Sequence, residues 1–370
     1  MTLSLSPAAG FCWLVGAAFL FGAIIGSFLN VCIYRIPRQI SLISPARSFC
    51  PACRAQIPWY LNVPILSWIV LRGHCANCHE PIGLRYLIVE VLTAVLFAVA
   101  AWIVPVPTLF SIWVILAILV VTTFVDLEFF IIPDLMSKGG IGAGLVLSLL
   151  TPGLHQTSAP LQAFLMAIAG GVTGALILFL VGEFGKLAFG RYKVALNTPA
   201  RFHLENLPEG ERQIVIGQET FLWSEHFFRR SDRIVLQATE LEIDGAAYRQ
   251  IELTFFANRV CIGRETVELD KIKSLAGWTT GGKFPREAMG IGDMKLVAAI
   301  GTFVGWHGVL FTIAAGSFIG AASGLIGIIL RRWTRSQKIP FGPFLAIAAA
   351  IWLFWGQELS LLYARMVGLP

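Results

Sequence analysis

The sequence predicts an all-α polytopic membrane protein of about eight transmembrane helices, carrying a four-cysteine loop and an inserted β-rich soluble domain. Three observations predict it. Of 370 residues, 56% are hydrophobic and only 14% charged, whereas soluble domains carry about 25% charged residues. No Lys, Arg, Asp or Glu occurs in residues 1–34, 91–125 or 296–330. The charges that do occur are concentrated, with more than half of them in residues 190–286. A mean hydropathy of +0.74 agrees with a chain whose surface is largely lipid-facing.

The first apolar stretch reads as a retained helix. A cleaved signal has a basic segment before its apolar core, but the first ten residues contain no Lys or Arg, and the first basic residue is Arg35. The stretches 91–125 and 296–330 are each 35 residues long, whereas one span needs about 20. Each therefore predicts a helical hairpin, broken at Pro105-Val106-Pro107 and near Gly305-Trp306-His307-Gly308. The predicted spans are 11–33, 87–104, 108–125, 138–152, 161–184, 293–306, 309–330 and 343–363. The fourth is short and Gly-rich (Lys138-Gly139-Gly140-Ile141-Gly142), so it is the weakest simple helix.

The net charge of +6 and pI near 9.0 could point to nucleic acid. The distribution of the basic residues excludes that reading. Arg35, Arg38, Arg47, Arg54 and Arg72 fall in one loop, and Arg331, Arg332, Arg335 and Lys338 in another. The short loops of the opposite face, around Pro105, at 151–160 and around Trp306, have no Lys or Arg. This asymmetry places the basic loops in the cytoplasm. An even number of spans then leaves both termini on the other side.

The predicted organisation is a first helix (1–34), a cytosolic loop (35–86), spans two to five (87–189), an insert (190–286) and spans six to eight (287–370). In the insert, alternating runs such as those beginning at Arg233 and Ile251, with turns such as Asp244-Gly245, read as short strands. Its expected role is that of a cytosolic spacer or docking module. No internal repeat stands out, which argues against an inverted-repeat transporter.

Cys50-Pro51-Ala52-Cys53 and Cys75-Ala76-Asn77-Cys78 are two CxxC pairs. Each tight turn presents two thiolates to one ion, and two pairs complete a tetrahedral four-sulfur shell with no open position. That set suits structural Zn2+, making this a cytosolic zinc-binding loop on the reducing side, where disulfides are disfavoured. Redox CxxC chemistry and an iron–sulfur cluster are the competing readings. Cys12, Cys32 and Cys261 lack sequence partners and read as packing residues.

Asp126 ends the third predicted span, and Asp293 opens the sixth within Gly290-Ile291-Gly292-Asp293-Met294-Lys295. The topology puts both carboxylates at similar depth on the cytoplasmic side. Two carboxylates about 3 Å apart share a proton, so one can activate water while the other polarises a carbonyl. Glycines beside Asp293 would let an extended backbone approach. The alternatives are a membrane transporter or ion-translocating protein with pathway aspartates, a scaffold, or Asp293 as a plain helix cap. Glu128 and Asp134 are further candidates that spacing leaves open.

Together these residues resemble the prepilin peptidases, the type IV leader peptidase/N-methyltransferase family of GxGD-type intramembrane aspartic peptidases. The resemblance rests on residues 26–31 with Arg35 and Pro37, on 48–53 and 57–64 with Ser67, Trp68, Cys75, Cys78, Arg85, Tyr86 and Glu90, on Asp126 with Ile132-Pro133-Asp134, on 290–295, and on 338–344. It implies Asp126 and Asp293 as the catalytic pair, supported by Gly290, Gly292 and Lys295. It implies prepilin or pseudopilin substrates of type IV pilus or type II secretion systems, cut after a glycine that follows a short basic leader. It implies a multi-pass protein of the bacterial inner (cytoplasmic) membrane, with the active site facing the cytoplasm and both termini periplasmic. Its partners are then these substrates and membrane lipid, not nucleic acid. Because the four cysteines are present, it also implies N-methylation of the new N-terminus with S-adenosylmethionine as donor. No glycine-rich fingerprint identifies the donor's residues. The insert at 190–286 departs from the pattern of many relatives.

Overall fold

The computed structural model describes residues 7–44, 47–189, 191–207, 211–217, 219–223, 227, 232–263, 265–285, 290–330 and 339–367. The basic residues Arg331, Arg332, Arg335 and Lys338 lie outside the described residues. The chain divides into two compact units, Met1–Leu178 with Ile291–Pro370, and Phe179–Gly290.

The helices are α1 (Pro7–Arg35), the short α2 (Leu66–Val70), α3 (Arg85–Ile103), α4 (Val106–Phe129), α5 (Asp134–Leu150), α6 (Pro160–Phe189), α7 (Ile291–Ile329) and α8 (Gly342–Val367). Among the described residues six are long and apolar enough to cross a membrane: α1, α3, α4, α6, α7 and α8. The expectation was eight, and the difference lies in α5 and α7. With 17 residues, α5 is about 26 Å long, somewhat short of the ~30 Å hydrocarbon core. Two expected spans form the single 39-residue element α7, interrupted at Gly305 with φ 69° and ψ −179°. That conformation is one that glycine adopts without a Cβ clash. A Cβ on Gly301 would lie 2.8 Å from Val309 Cγ2, although residues eight apart in a straight helix are separated by about 12 Å. The chain therefore doubles back at Gly305, within the segment where the sequence predicts a break.

Small residues set the closest helix approach. A Cβ on Gly22 would come within 2.8 Å of Ala94 Cα, and one on Gly26 within 2.8 Å of Glu90 Cα, so α1 and α3 pack with their backbones nearly touching. Leu29, Cys32, Ile33, Val89, Val120, Val121 and Val125 form the core shared by α1, α3 and α4. Hydroxyls within the helices bond carbonyls four residues back, Thr93 to Val89 and Thr122 to Ile118, each at 2.7 Å. They carry no unmet polarity into an apolar medium. Leu20, Ile24 and Phe28 lie exposed on the outer face of α1, as a lipid-facing surface requires. Cys32 packs in the core as expected, whereas Cys12 is exposed instead, because its position falls on the outward face.

Among the described residues, the second unit contains an antiparallel sheet of eight strands: β1 (Arg191–Asn206), β2 (Arg212–Ile216), β3 (Glu219–Leu222), β4 (Ile234–Ile243), β5 (Ala246–Phe255), β6 (Arg259–Ile262), β7 (Glu265–Glu268) and β8 (Leu275–Pro285), in the order β3-β2-β1-β8-β4-β5-β6-β7. The alternation read from sequence is the alternation of burial along β4. Asp244 and Gly245, both at positive φ, make the two-residue turn that pairs Ile243 with Ala246. Asp244 Oδ1 accepts the amides of Lys273 and Ser274, tying that turn to the start of β8. Phe202, Leu236, Leu253, Phe255 and Phe284 are buried in the core of this unit. The first and last strands are neighbours, with Arg191 opposite Pro285. A domain whose ends emerge side by side can be inserted into a host chain without strain on either end. Residues 190–286 expressed alone are expected to give a soluble product with a β-rich circular dichroism spectrum. An aggregated or unstructured product would reject their autonomy.

Candidate active site and metal centre

Helix α4 ends through Phe130, which adopts the left-handed conformation (φ 57°) and returns its amide to the Asp126 carbonyl. That termination leaves Asp126 in the last turn, only 5% exposed. Its Oδ2 accepts the backbone amide of Gly342 at 2.9 Å. Gly342 is the first residue of α8, where backbone amides have no intrahelical acceptor and the helix dipole favours an anion. A Cβ on Gly342 would sit 2.7 Å from the same oxygen, so the contact needs glycine.

Asp293 lies in the first turn of α7 and is partly buried. The start of α7 is seated against the segment that follows α4, since a Cβ on Gly292 would meet Ile132 Cβ at 3.1 Å. Lys295 Nζ donates to Asp134 Oδ1 at 2.6 Å, and Lys138 pairs with the other oxygen of that carboxylate at 2.6 Å. Glu128 is bonded by Arg85 and has Arg38 within 3.6 Å. The two carboxylates that spacing left open are thus engaged by cations. Asp134 serves as a clamp between the starts of α5 and α7, and Asp126 is held by an amide.

The cysteines converge as the spacing predicts. All four Sγ atoms lie within 4.8 Å of one another, and Cys50 and Cys78 are 3.9 Å apart. A tetrahedral zinc with Zn–S bonds of 2.3 Å requires sulfurs about 3.8 Å apart, so these residues fit the ion. The folding of the loop explains the convergence. Arg54 and His79, each immediately after a CxxC, have φ of 57° and 58°. Their amides return to the carbonyls of Cys50 and Cys75 at 2.8 and 3.0 Å. Cys50 N bonds Ala55 O, and Cys75 N bonds Glu80 O, closing two equivalent knuckles. Each is followed by one isolated bridge, Phe49 with Gln56 and His74 with Pro81. The loop is therefore an internal repeat with an offset of 25 residues, R-x-x-C-x-x-C running from Arg47 and again from Arg72. The expectation of no internal repeat is corrected here. The repeat is short and few positions besides the cysteines match, Arg47 with Arg72 and Ile57 with Ile82, so the paired backbone geometry is what exposes it. The Asn77 side chain, with Nδ2 3.6 Å from Cys53 Sγ, and the Ala55 backbone amide hold the Cys53 thiol down at about 6. Cys53 thus supplies the first thiolate, the form that binds metal, while, against the Glu80 backbone amide, desolvation and the neighbouring sulfurs push Cys78 up to about 12.

The loop is anchored to α1 by Arg35, which is 3% exposed and donates to the carbonyls of Ser41, Leu42 and Arg47. Trp59 and Tyr60 project from it, exposed as interfacial aromatics are. Sequence reasoning missed the Gly342 amide on Asp126. Its only signal was the Ile339-Pro340-Phe341-Gly342 segment, which says nothing of what it contacts.

Comparison with known proteins adds independent findings. The model of the Bacterial Peptidase A24 N-terminal domain matches residues 20–104, and that of the Type IV leader peptidase family matches residues 272–325. The first match holds the four cysteines and the second holds Asp293, while Asp126 lies between them. The chain is 28% identical to the prepilin leader peptidase/N-methyltransferase of Aeromonas hydrophila, over 98% of each chain. It is 34% identical to the protein of that name from Neisseria gonorrhoeae, over 48% of this chain and 68% of the relative. It is 37% identical to the one from Myxococcus xanthus, over 47% of this chain and 50% of the relative. No solved structure matches the chain.

Proposed function

The chain belongs to the type IV leader peptidase family, and from that premise we propose that it removes the basic leader of prepilins or pseudopilins by a two-aspartate mechanism and N-methylates the new terminus. The observation that carries the reading is the Asp126 carboxylate, buried at a helix end and fixed by the Gly342 amide. The start of α7, which bears Asp293, is packed against the segment following that same helix.

In this reading Asp126 and Asp293 share one proton. The ionised carboxylate draws a proton from water as it attacks, and the protonated one donates to the scissile carbonyl. The Gly342 amide orients Asp126 without placing a positive side chain beside it, leaving the carboxylate free to gain and lose a proton. Gly290 and Gly292 leave room for an extended substrate backbone, and Lys295 positions α7 through Asp134. Family membership sets aside the transport reading. We further infer eight spans, counting α5 and both arms of α7, with the basic loops and dyad on the cytoplasmic side of the inner membrane. The four cysteines hold a structural zinc. S-adenosylmethionine supplies the methyl group when bound, and the chain's own residues must hold it near the product's amine.

The test is to incubate purified protein with a prepilin and read the product mass with and without S-adenosylmethionine. Loss of the leader in both cases, and one added methyl only with the donor, is expected. An uncut substrate sinks the peptidase reading, and a cut but unmethylated one sinks only the second activity. Gly342→Ala provides a narrower test. The added Cβ must displace Asp126 Oδ2 from 2.7 Å, and misplacing a reacting group by a fraction of an ångström to 1 Å costs up to about 100-fold. Cleavage is expected to fall roughly 10- to 100-fold, with zinc content and membrane insertion unchanged. A wild-type rate in Gly342→Ala would show that the amide contact does not position the carboxylate.

A further inference from the structure

A cavity of about 600 Å³ lies between α1, α3 and the cysteine loop. This is within the range of small-molecule sites, about 300–1,000 Å³. Asn30, Tyr34, Phe49, Trp68, Tyr86 and Glu90 are among the residues that line it. Two of them are buried polar side chains from facing helices. Asn30 is 3% exposed, and its Nδ2 donates to the Tyr86 carbonyl at 2.9 Å. Its Oδ1 is buried and accepts no hydrogen bond among the described residues. Buried acceptors are nearly always satisfied by protein, water or ligand, so this atom is open to a donor from a bound molecule. Glu90 is 9% exposed. Its Oε2 accepts the Ile65 amide at 2.6 Å, and Ser27 also bonds the carboxylate. The acid is thereby fixed at the wall, and the close packing of Gly26 on Glu90 Cα leaves its backbone no room to shift.

Arg35 and Glu80 also line the cavity, and the Arg35 guanidinium donates to the loop carbonyls of Ser41, Leu42 and Arg47. Aromatic walls, the fixed Glu90 carboxylate and one unsatisfied acceptor then describe the complement of a particular ligand chemistry. It is a cation bearing apolar substituents, with a flat ring and N–H donors. Aromatic faces attract onium groups, and an enclosed carboxylate supplies the counter-charge. A lipid chain would leave Asn30 Oδ1 unpaired. S-adenosylmethionine combines a sulfonium, an adenine ring and an ammonium group with one carboxylate, and Arg35 is a cation on the same cavity wall. We propose that this cavity is the methyl-donor site, with Glu90 as counter-ion and Asn30 Oδ1 as acceptor for a donor N–H. The assignment rests on the N-methyltransferase reading above. Both residues fall within the matched segment 20–104. The cavity is lined partly by Cys50, Cys75 and their neighbours, so the metal knuckles would shape the donor site without touching the dyad.

The test uses the full chain purified with its zinc. Ultraviolet cross-linking of radiolabelled S-adenosylmethionine to the wild-type protein is followed by peptide mapping. Equilibrium dialysis then compares wild type with Asn30→Leu and Glu90→Gln. Label in peptides containing residues 27–34, 48–58 or 82–90 is expected, together with binding weakened about tenfold by each variant at unchanged zinc content. Label confined elsewhere, or wild-type affinity in both variants, would overturn the site while leaving the methyltransferase reading intact. Cross-linking of a mature pilin N-terminal peptide to these segments, with no donor label there, would assign the cavity to the product amine instead. Absence of any donor binding by the wild-type chain would overturn both readings. The cross-link on wild-type protein decides the question even if a variant fails to fold.

Discussion

Asp126→Asn and Asp293→Asn are each expected to lower leader cleavage by about 10³-fold or more, while the protein still inserts and retains zinc. General acid–base groups contribute about 10²–10⁴-fold individually, and residues that act as a unit lose most of their joint effect when either is removed. Asparagine keeps the shape of the carboxylate and can still accept the Gly342 amide, which Asp126 accepts at 2.9 Å. What it cannot do is exchange a proton with its partner. The double variant should therefore be little worse than either single one. Glu128→Gln and Asp134→Asn serve as contrasts, because both acids are already held by cations. Their loss should weaken packing more than chemistry, giving a reduction that tracks the amount of folded protein. The measurement is initial cleavage rate per folded molecule on a prepilin substrate. Near wild-type rates in both Asp126→Asn and Asp293→Asn would remove the dyad from the mechanism.

Replacing Cys75 by serine, or stripping the metal with a chelator, is expected to release one zinc per chain and to unfold the cysteine loop. Structural zinc contributes roughly 10 kcal/mol or more to isolated zinc-finger peptides. Arg35 and Glu90 tie the loop to α1 and α3, but its apolar residues Trp59, Tyr60, Leu66 and Val70 point outward and give the knuckles little core of their own. The helices should survive, since their backbone bonds are internal and their packing runs through α1, α3 and α4. Methylation should fall further than cleavage, because the cavity assigned to the methyl donor is walled by this loop and Asp126 lies outside its lining. Zinc stoichiometry, cleavage and methylation are measured separately on the same preparation. A tightly bound zinc retained after two of the four cysteines are replaced rejects the four-thiolate site. Complete loss of cleavage in an inserted, zinc-free protein would leave the metal in place and show that the loop engages the substrate.

Much of the site was legible in the chain because its signals are local. A CxxC pair closes its own turn, so Cys50, Cys53, Cys75 and Cys78 could be grouped without knowing the path of residues 54–74. The strands around Asp244-Gly245 were legible for the same reason, since a two-residue turn and alternating burial are properties of adjacent residues. The knuckle repeat was present in sequence but hidden. Its two copies share backbone hydrogen bonds and a left-handed residue at Arg54 and His79, and hydrogen bonds are not spelled by side chains. The reading of Asp134 as a possible alternative to Asp126 came from spacing alone. Lys295, which answers it, is 161 residues away.

The sequence by itself determined the membrane character of the chain, the cysteine cluster, the break near Gly305 and the β-rich nature of the insert. Each depends on composition or on contacts a few residues apart, where chain connectivity limits the geometry. Tertiary structure alone decided that α7 doubles back tightly enough for Val309 to meet Gly301, which carboxylates are neutralised by lysine and arginine, and that Gly342 seats its amide on Asp126 across 216 residues. Those contacts depend on how helices pack against one another. Between apolar helices that packing follows from close shape fitting of small residues and a few hydrogen bonds, and neither leaves a periodic trace in the sequence.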